Sequence, residues 1–313
     1  MIRRMVVLCS LLAMLSAVVS GAHAGDVQEM IQRSMSEVAS NSVISTKTED
    51  IVSKDPSIVL AELSKYEHSP NHMIRWNAYC IGYDLGKNSS DPKVRQEVVS
   101  RLVNSCEDPD PRVWQSTSEF LLSFAPEDFN ESAHQVIHRL MASEAPGIRF
   151  IILCGIAEDR DMIPRLQKIA NGASGKTAAF SPAWYAHLSL ARMGNKIDTG
   201  WCIKLFQSEK DVVTKVARLL NHLAFTRQPE VIPVLQQYLD MEDRLPSVKE
   251  TIPGLPYWQY ALNVTALTIE GFPVKYKWTP GYSEEEVEIA REWMQEQKSF
   301  QFRRATIDRL KLF

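Results

Sequence analysis

Two histidines of one predicted helix have a spacing that could bind a metal ion. His134 and His138 lie four residues apart, so a helix would place both imidazoles on one face. A metalloprotease helix carries a glutamate directly after its first histidine, but Gln135 stands there, and no third ligand is evident nearby in the sequence. The pattern favours solvated or capping histidines, so we predict no metal site and no cofactor.

A glycine-rich segment resembles a phosphate-binding loop without meeting its requirements. Residues 172–177 end in Gly-Lys-Thr, as a P-loop does. That motif needs another glycine five residues before Gly175, where Ala170 stands, and a preceding strand that this sequence does not predict. The chain also has no Gly-x-Ser-x-Gly elbow and no Cys-x-x-Cys pair. We interpret the segment as a connecting loop and predict no catalytic residue.

Acidic residues cluster in the predicted turns. Examples are Glu127 with Asp128, residues 159–161, and Glu242 with Asp243. Acidic side chains in turns usually cap helices and face solvent. A general acid and base would have to converge on one pocket, which sequence spacing does not indicate. The pattern favours solvated turn acids.

A large aromatic residue recurs at the start of successive helical stretches. Trp76, Trp114, Phe150 and Tyr185 are separated by 38, 36 and 35 residues, and Trp258 follows Tyr185 by 73, close to two further steps. A period in this range is typical of stacked helical hairpins. The aromatic rings would either pack between hairpins or line a face that stacks on a peptide or sugar. Their periodicity favours packing.

Sequence signals for a helix start precede the residues of the aromatic series. The break before each of the first four aromatic residues contains a proline: Pro70, Pro111, Pro146 and Pro182. Proline suits the first helical turn because its missing N–H would have no partner there. Asp110 and Ser181 precede two of these prolines as predicted N-caps, and Asp55 and Asp91 repeat the pattern at other starts. An amphipathic second helix over 93–104 completes one hairpin.

The runs DPDPRV at 108–113 and Ile-Arg at 148–149, each followed by small and aliphatic residues, resemble HEAT repeats. The short bacterial, phycobilisome-lyase-like type is the closest, and the resemblance covers roughly residues 70–240. Trp114 stands where the family often has arginine, and the hairpin near Asp211 is offset by several residues. The resemblance implies an all-α fold, a right-handed α–α superhelix or solenoid of about six helical hairpins. It implies architecture and little about activity.

The two ends of the chain differ from the repeats. Residues 25–50 hold a modest amphipathic run and a polar stretch, and Ser283 with Glu286 predicts a capping box for a last helix. The predicted organisation is a signal peptide over 1–24, a cap helix and linker over 25–50, HEAT-like repeats over 51–244, and a C-terminal hairpin with long loops and capping helices over 245–313.

The cysteines argue against disulfides despite their even number after residue 24. Cys80 and Cys154 each lie four residues after a periodic aromatic residue, so they occupy equivalent places two repeats apart. Hairpins that stack at roughly 8–10 Å would hold these thiols beyond disulfide reach. Cys106 ends a second helix while Cys202 begins one, so this pair is also poorly matched. We predict four free buried thiols.

The N-terminus has the form of a secretory signal peptide. Arg3 and Arg4 give a positive region, residues 5–19 are mostly apolar, and residues 22–24 read Ala-His-Ala. Cleavage is expected after Ala24, and the apolar stretch is short for the roughly 20 residues that a span needs. We predict a periplasmic or secreted protein with no membrane span after cleavage.

Charge restricts the choice of partner. Removing residues 1–24 takes away two of the 35 basic residues and none of the 38 acidic ones, leaving a net charge of −5. Export and net acidity together argue against nucleic acid as a binding partner. A small basic patch near the C-terminus is either solvated surface or a contact for an acidic partner; it comprises Arg303, Arg304, Arg309 and Lys311.

These observations predict a non-catalytic protein-interaction scaffold that binds a protein partner through the inner face of its curve, built mainly from second helices. Candidate binding residues, chosen by helix position, are Gln96, Arg101, Gln135, Arg139, Arg165, Lys168, Lys204 and Gln236. Trp201, Trp278 and Trp293 break the aromatic period and join them as candidates. The alternatives are an envelope enzyme, a lyase or hydrolase with a site in the groove, and a periplasmic immunity or inhibitor protein.

Overall fold

A computed structural model describes residues 24–40, 48–172, 178–247, 254–277 and 281–305. Within these ranges the secondary structure is helical, and no strand is present beyond two isolated bridges, Arg244 with Pro256 and Ile269 with Phe302. The predicted all-α class is therefore confirmed. Residues 1–23 of the predicted signal peptide (1–24) and the candidate Trp278 lie outside the described residues.

The chain divides into two compact units, the first ending at Phe120 and the second beginning at Leu121. The first unit contains α1 (24–39), α2 (Thr48–Val52), α3 (Pro56–Leu63), α4 (His72–Asn88), α5 (Pro92–Asn104) and α6 (Pro111–Phe120). The second begins with α7 (Glu131–Met141), α8 (Ile148–Ile156), α9 (Ile163–Asn171), α10 (Pro182–Arg192) and α11 (Lys196–Ser208). It continues with α12 (Val212–Thr214), a π-helical segment (Lys215–Leu219), α13 (Leu220–Phe225), α14 (Ile232–Leu239), α15 (Tyr257–Thr268) and α16 (Glu284–Glu296).

Side-chain capping fixes where several helices begin. Asp55 accepts a hydrogen bond from the backbone N–H of Ser57, and Asp91 accepts one from that of Lys93. Ser181 caps α10, and Ser283 forms the predicted capping box of α16. These side chains satisfy N–H groups that have no partner within the helix, so short sequence signals located these starts correctly.

Helix α4 is the centre of the first unit and contacts α2, α3, α5 and α6. Tyr83 on α4 stacks on Phe120 with ring centroids 4.4 Å apart. Arg75 forms a bidentate pair with Asp108, with Nε 2.7 Å from Oδ2 and Nη2 2.8 Å from Oδ1. Asn77 donates to the hydroxyl of Ser34 at 3.0 Å. Both apolar packing and satisfied polar contacts therefore hold α4 in place.

Helix α10 is the corresponding centre of the second unit and contacts α8, α9 and α11. Every residue from Ala183 to Arg192 is buried. The hydroxyl of Ser189 donates to the carbonyl of Ile151 on α8 at 2.8 Å. Helix α10 is thus enclosed on all sides, which explains its apolar and small-residue composition.

Members of the aromatic series differ in burial. Tyr185 is 2% exposed and Trp258 is 5% exposed, so both belong to the core of the second unit. Trp76, Trp114 and Phe150 are half-buried. The packing interpretation holds most clearly for the two buried residues.

The cysteines after residue 24 are free thiols, as predicted. Cys106, Cys154 and Cys202 are buried, and burial raises the pKa of the Cys154 and Cys202 thiols. Cys80 departs from the prediction because it is half-buried. Buried thiols with raised pKa values are poor nucleophiles at neutral pH.

In the part of the chain that the structure describes, no helix is both long and apolar enough to cross a membrane.

Candidate functional site

Most of the predicted binding residues of the second unit lie on α7, α9 and α11. Gln135 and Arg139 are exposed on α7, Lys168 is exposed on α9, and Lys204 is exposed on α11. Arg165 on α9 is half-buried. Gln135 is within hydrogen-bonding distance of Glu131 on its own helix, at 3.2 Å. The side chains of Gln135, Arg139, Lys168 and Lys204 are thus accessible to solvent.

Other candidates make contacts that hold the fold together. Arg101 on α5 donates to the carbonyl of Leu60 and to the carboxylates of Glu67 and Glu97, all at 2.8–2.9 Å. Gln236 on α14 donates to the carbonyl of Met294 at 3.0 Å. Gln96 is half-buried. Arg101 and Gln236 therefore have structural partners, which helix position alone did not reveal.

Two of the tryptophans that break the period also contact neighbouring side chains. Trp201 stacks on His187 with centroids 3.7 Å apart. Trp293 makes edge contacts with Phe272 and Phe300, at 5.5 and 5.9 Å. Both tryptophans are half-buried. Part of each ring is accessible, and part contributes to packing.

One groove brings together two of the predicted binding residues, Arg165 and Lys168. It has a volume of about 440 Å³ and lies beside α9 and the first turn of α10. Its lining is Glu144, Ala145, Pro146, Arg165, Lys168, Ile169, Gly172, Ser181, Pro182 and Ala183. The lining thus combines two cations and one acid with an apolar wall. We refer to this site as the basic groove.

The two cations of the basic groove have different surroundings. Arg165 donates from Nε to the carbonyl of Met141 at 3.3 Å and from Nη2 to that of Glu144 at 3.2 Å. The carbonyl of Met141 is at the end of α7, where helix acceptors lack partners and the dipole favours a cation, and that of Glu144 lies three residues further on. Lys168 is exposed on the following turn of α9. Arg165 therefore shapes one wall, while the ammonium group of Lys168 is presented to solvent.

A buried histidine–aspartate pair joins α10 to α11. Nδ1 of His187 lies 2.6 Å from Oδ1 of Asp198, and both side chains are almost fully buried. Trp201 covers the imidazole from one side. Nearby, the indole N–H of Trp184 donates to Nδ1 of His222 at 2.7 Å. This network satisfies polar groups between helices, and its contacts indicate a structural role.

A second histidine cluster lies between α7 and the turn that follows α8. Nδ1 of His134 and Nε2 of His138 each lie 2.9 Å from the same oxygen, Oδ2 of Asp159. Asp159 is 4% exposed, whereas both histidines are half-buried. Asp161 is exposed, and ligand atoms of His138, Asp159 and Asp161 lie within 4.8 Å of one another. We refer to these four residues as the histidine–aspartate cluster.

Within the histidine–aspartate cluster, His134 and Asp159 stabilise each other's charged forms. The hydrogen bond to Asp159, aided by its charge and that of Glu131, raises the pKa of His134 above its ordinary value despite burial. Burial alone would raise the pKa of Asp159, but His134 and His138 outweigh that effect and hold it below the ordinary value. The carboxylate is therefore kept ionised inside the protein.

The expectation of solvated turn acids is wrong for two residues. Asp128 is buried and accepts from the backbone N–H of Ala125 at 3.1 Å. Asp159 is buried by the helices on either side of its turn and bonds two histidines. The sequence signal that was missed is the coincidence of paired histidines with an aspartate at the end of the next helix.

No protein-family model matches the chain, and no curated protein matches it. The resemblance to HEAT-like repeats therefore depends on the residues and periodicity described above.

Proposed function

We propose that this protein is an exported, non-catalytic repeat protein of HEAT-like architecture that binds a partner protein. Contacts that recur at the repeat length support the architecture. Ser189 bonds Ile151 and Trp184 bonds His222, each across 38 residues, the same separation as that of Trp76 and Trp114. Recurrent first-helix contacts at one interval are expected where each unit is covered by its neighbours.

The observation that carries the binding proposal is the basic groove. Arg165 and Lys168 were selected from helix position alone, and they line one groove together with the wall formed by Pro146, Ile169 and Pro182. A volume of about 440 Å³ is in the range that accommodates several side chains of a bound segment. Binding sites commonly combine an apolar wall with a few well-placed polar groups.

The occupant that fits the basic groove best is an acidic, partly apolar segment of a partner protein. Lys168 supplies a solvent-facing cation, which would attract a carboxylate and restrict its orientation. Ile169 and the prolines supply a surface for an aliphatic or aromatic side chain. The mature protein carries a net charge of −5. An acidic segment would therefore prefer this local positive site to the rest of the surface.

The contacts favour recognition over catalysis in this groove. Its lining includes one carboxylate, Glu144, whereas His134 and His138 are engaged with Asp159 instead. A lyase or hydrolase acting in the groove would need an acid and a base that converge on the substrate. The groove therefore supports binding as the better proposal.

A capture experiment with envelope extract tests the proposal. The mature protein, residues 25–313, would be immobilised as wild type, as Lys168→Glu and as Lys210→Glu. Lys210 is exposed and is not among the groove-lining residues, so it gives the same charge change elsewhere. We expect wild type and Lys210→Glu to retain the same protein and Lys168→Glu to lose it. Equal retention by all three variants would contradict the assignment to this groove.

A further inference from the structure

We propose that His138, Asp159 and Asp161 form a binding site for a divalent transition-metal ion such as Zn²⁺, with His134 as a positioning residue. This inference is independent of the basic groove. It is based on the convergence of three side chains whose donor atoms suit such an ion, which imidazole nitrogen and carboxylate oxygen both bind.

The distances are close to those that a bound ion requires. Tetrahedral coordination with bonds of about 2.1 Å separates neighbouring donor atoms by about 3.4 Å. Nε2 of His138 and Oδ2 of Asp159 are 2.9 Å apart, so a small outward movement of roughly 0.5 Å would admit the ion. The donor atom of Asp161 already lies within 4.8 Å of the other two, and its exposed side chain can approach by rotation.

The fold holds two of the three ligands in place, and the third is on an exposed turn. His138 is held on α7, and Asp159 is buried in the turn after α8. Asp161 stands in the 3₁₀ turn Arg160–Met162 and faces solvent. Two fixed ligands with a third on an exposed turn would let the ion enter from solvent and leave a coordination position for water.

The backbone before Asp159 explains how this carboxylate comes to face α7. Glu158 has φ +50°, in the left-handed region that often ends a helix. The N–H of Asp159 donates to the carbonyl of Cys154 at 3.0 Å, which closes this turn at the end of α8. The turn holds Asp159 within 2.9 Å of both histidines of α7.

His134 would affect metal binding indirectly, through its hydrogen bond to Asp159. Its Nδ1 lies 2.9 Å from the oxygen that also contacts His138. Metal binding at Nε2 of His138 would need that nitrogen unprotonated. Its proton would leave to solvent if the ring is an imidazolium, or pass through solvent to Nδ1 if the ring is neutral, while His134 continues to donate to Asp159. Hydrogen bonds of this kind fix the orientation of a carboxylate ligand and raise metal affinity by about 10–100-fold.

Calorimetric titration of the untagged mature protein, after removal of metal with a chelator, tests the site with ZnCl₂ as the probe. Wild type is expected to bind one equivalent. Asp161→Asn and His138→Gln are expected to bind at least tenfold more weakly. Asp161 is exposed, so its variant should fold normally, and circular dichroism would verify this. His68→Gln is the matched control, because His68 is an exposed histidine of the first unit.

Three further measurements complete the test of the metal site. His134→Gln is expected to keep one equivalent while weakening Zn²⁺ binding about tenfold, as a positioning residue should. Co²⁺ should give visible absorption typical of nitrogen and oxygen ligation in wild type and not in Asp161→Asn. MgCl₂ should bind far more weakly than ZnCl₂, since imidazole favours transition metals. The proposal is overturned if wild type binds no Zn²⁺, or if Asp161→Asn and His138→Gln bind it as tightly as wild type.

Discussion

Gly155 and Ser189 approach each other so closely that a side chain on the glycine has no room. A Cβ added at Gly155 would lie 2.8 Å from the Cα of Ser189. The same serine donates its hydroxyl to the carbonyl of Ile151 at 2.8 Å. Helices α8 and α10 are therefore in close contact through a glycine, a small polar residue and one buried hydrogen bond. Ile151 and Ser189 are 38 residues apart, the same separation as that of Trp76 and Trp114.

Gly155→Ala should destabilise the protein by about 1–3 kcal/mol because the added methyl group would force α8 and α10 apart. Gly200→Ala is the matched control. Gly200 is exposed on α11 with nothing within 4 Å of an added Cβ, so alanine there should stabilise by roughly 0.5–1 kcal/mol. Urea denaturation followed by circular dichroism measures both. Equal stability of the two variants would show that the close contact does not exist in solution.

Glu158→Gly should stabilise the protein by about 1 kcal/mol, since glycine adopts φ +50° without the steric cost that glutamate bears there. The control is Glu230→Gly. Glu230 is an exposed residue of a 3₁₀ turn with ordinary backbone geometry, so glycine should destabilise there. Thermal unfolding of the metal-free protein gives the comparison. A loss of stability at both positions would contradict the described turn.

Arg192→Met should leave stability unchanged or raise it by about 1–3 kcal/mol. Arg192 is buried and donates from Nη1 to the carbonyl of Phe225 at 3.0 Å, but its Nε and Nη2 have no hydrogen-bond partner among the described residues. Burial, aided by the charge of Arg227, lowers the pKa of its guanidinium well below the ordinary value. Methionine keeps the apolar contact with the Phe225 ring, over which the guanidinium lies at 4.6 Å.

Denaturant unfolding of Arg192→Met would be compared with that of Lys210→Met, an exposed change expected to stay within about 0.5 kcal/mol of wild type. A strong destabilisation confined to Arg192→Met would show that the buried cation has a stabilising partner in solution.

Asp198→Asn should cost about 1.5–3 kcal/mol because it replaces the charged acceptor of a buried hydrogen bond to His187. The two atoms, Oδ1 and Nδ1, are 2.6 Å apart. The stacking of Trp201 on His187 provides a local probe, so tryptophan fluorescence should change as well as the unfolding midpoint. Asp243→Asn, at an exposed position, is the control and should alter neither. An unchanged midpoint in Asp198→Asn would indicate that the pair is not formed.

Local signals predicted the helical class and the helix starts. Asp55, Asp91 and Ser181 act through hydrogen bonds to the next two or three residues, so their role is encoded within a few positions. Arg165 and Lys168 are three residues apart on α9, and helix geometry places residues of this spacing on one side of a helix. The opposite wall of the basic groove comes from Pro146 and the start of α10, which helix periodicity does not specify.

The histidine–aspartate cluster could not be predicted with the same rules. His138 and Asp159 are 21 residues apart and meet only because α8 packs against α7 and ends in the left-handed turn at Glu158. Acidic residues in turns usually face solvent, so the sequence predicts a solvated carboxylate at Asp159. Packing between helices buries it instead. Helix position also did not reveal that Arg101 donates to the carbonyl of Leu60, 41 residues away in the chain.

Site-specific photocrosslinking at position 145 asks whether the basic groove holds a partner protein. A benzophenone amino acid would replace Ala145, an exposed residue of the groove lining, so that Arg165 and Lys168 are both kept. A second variant would carry it at Lys210, an exposed position outside the groove lining. After illumination in envelope extract, we expect a covalent adduct with one partner protein from position 145, reduced by an added acidic peptide, and none from position 210. An absence of adduct at 145, or identical adducts from both positions, would contradict binding in this groove.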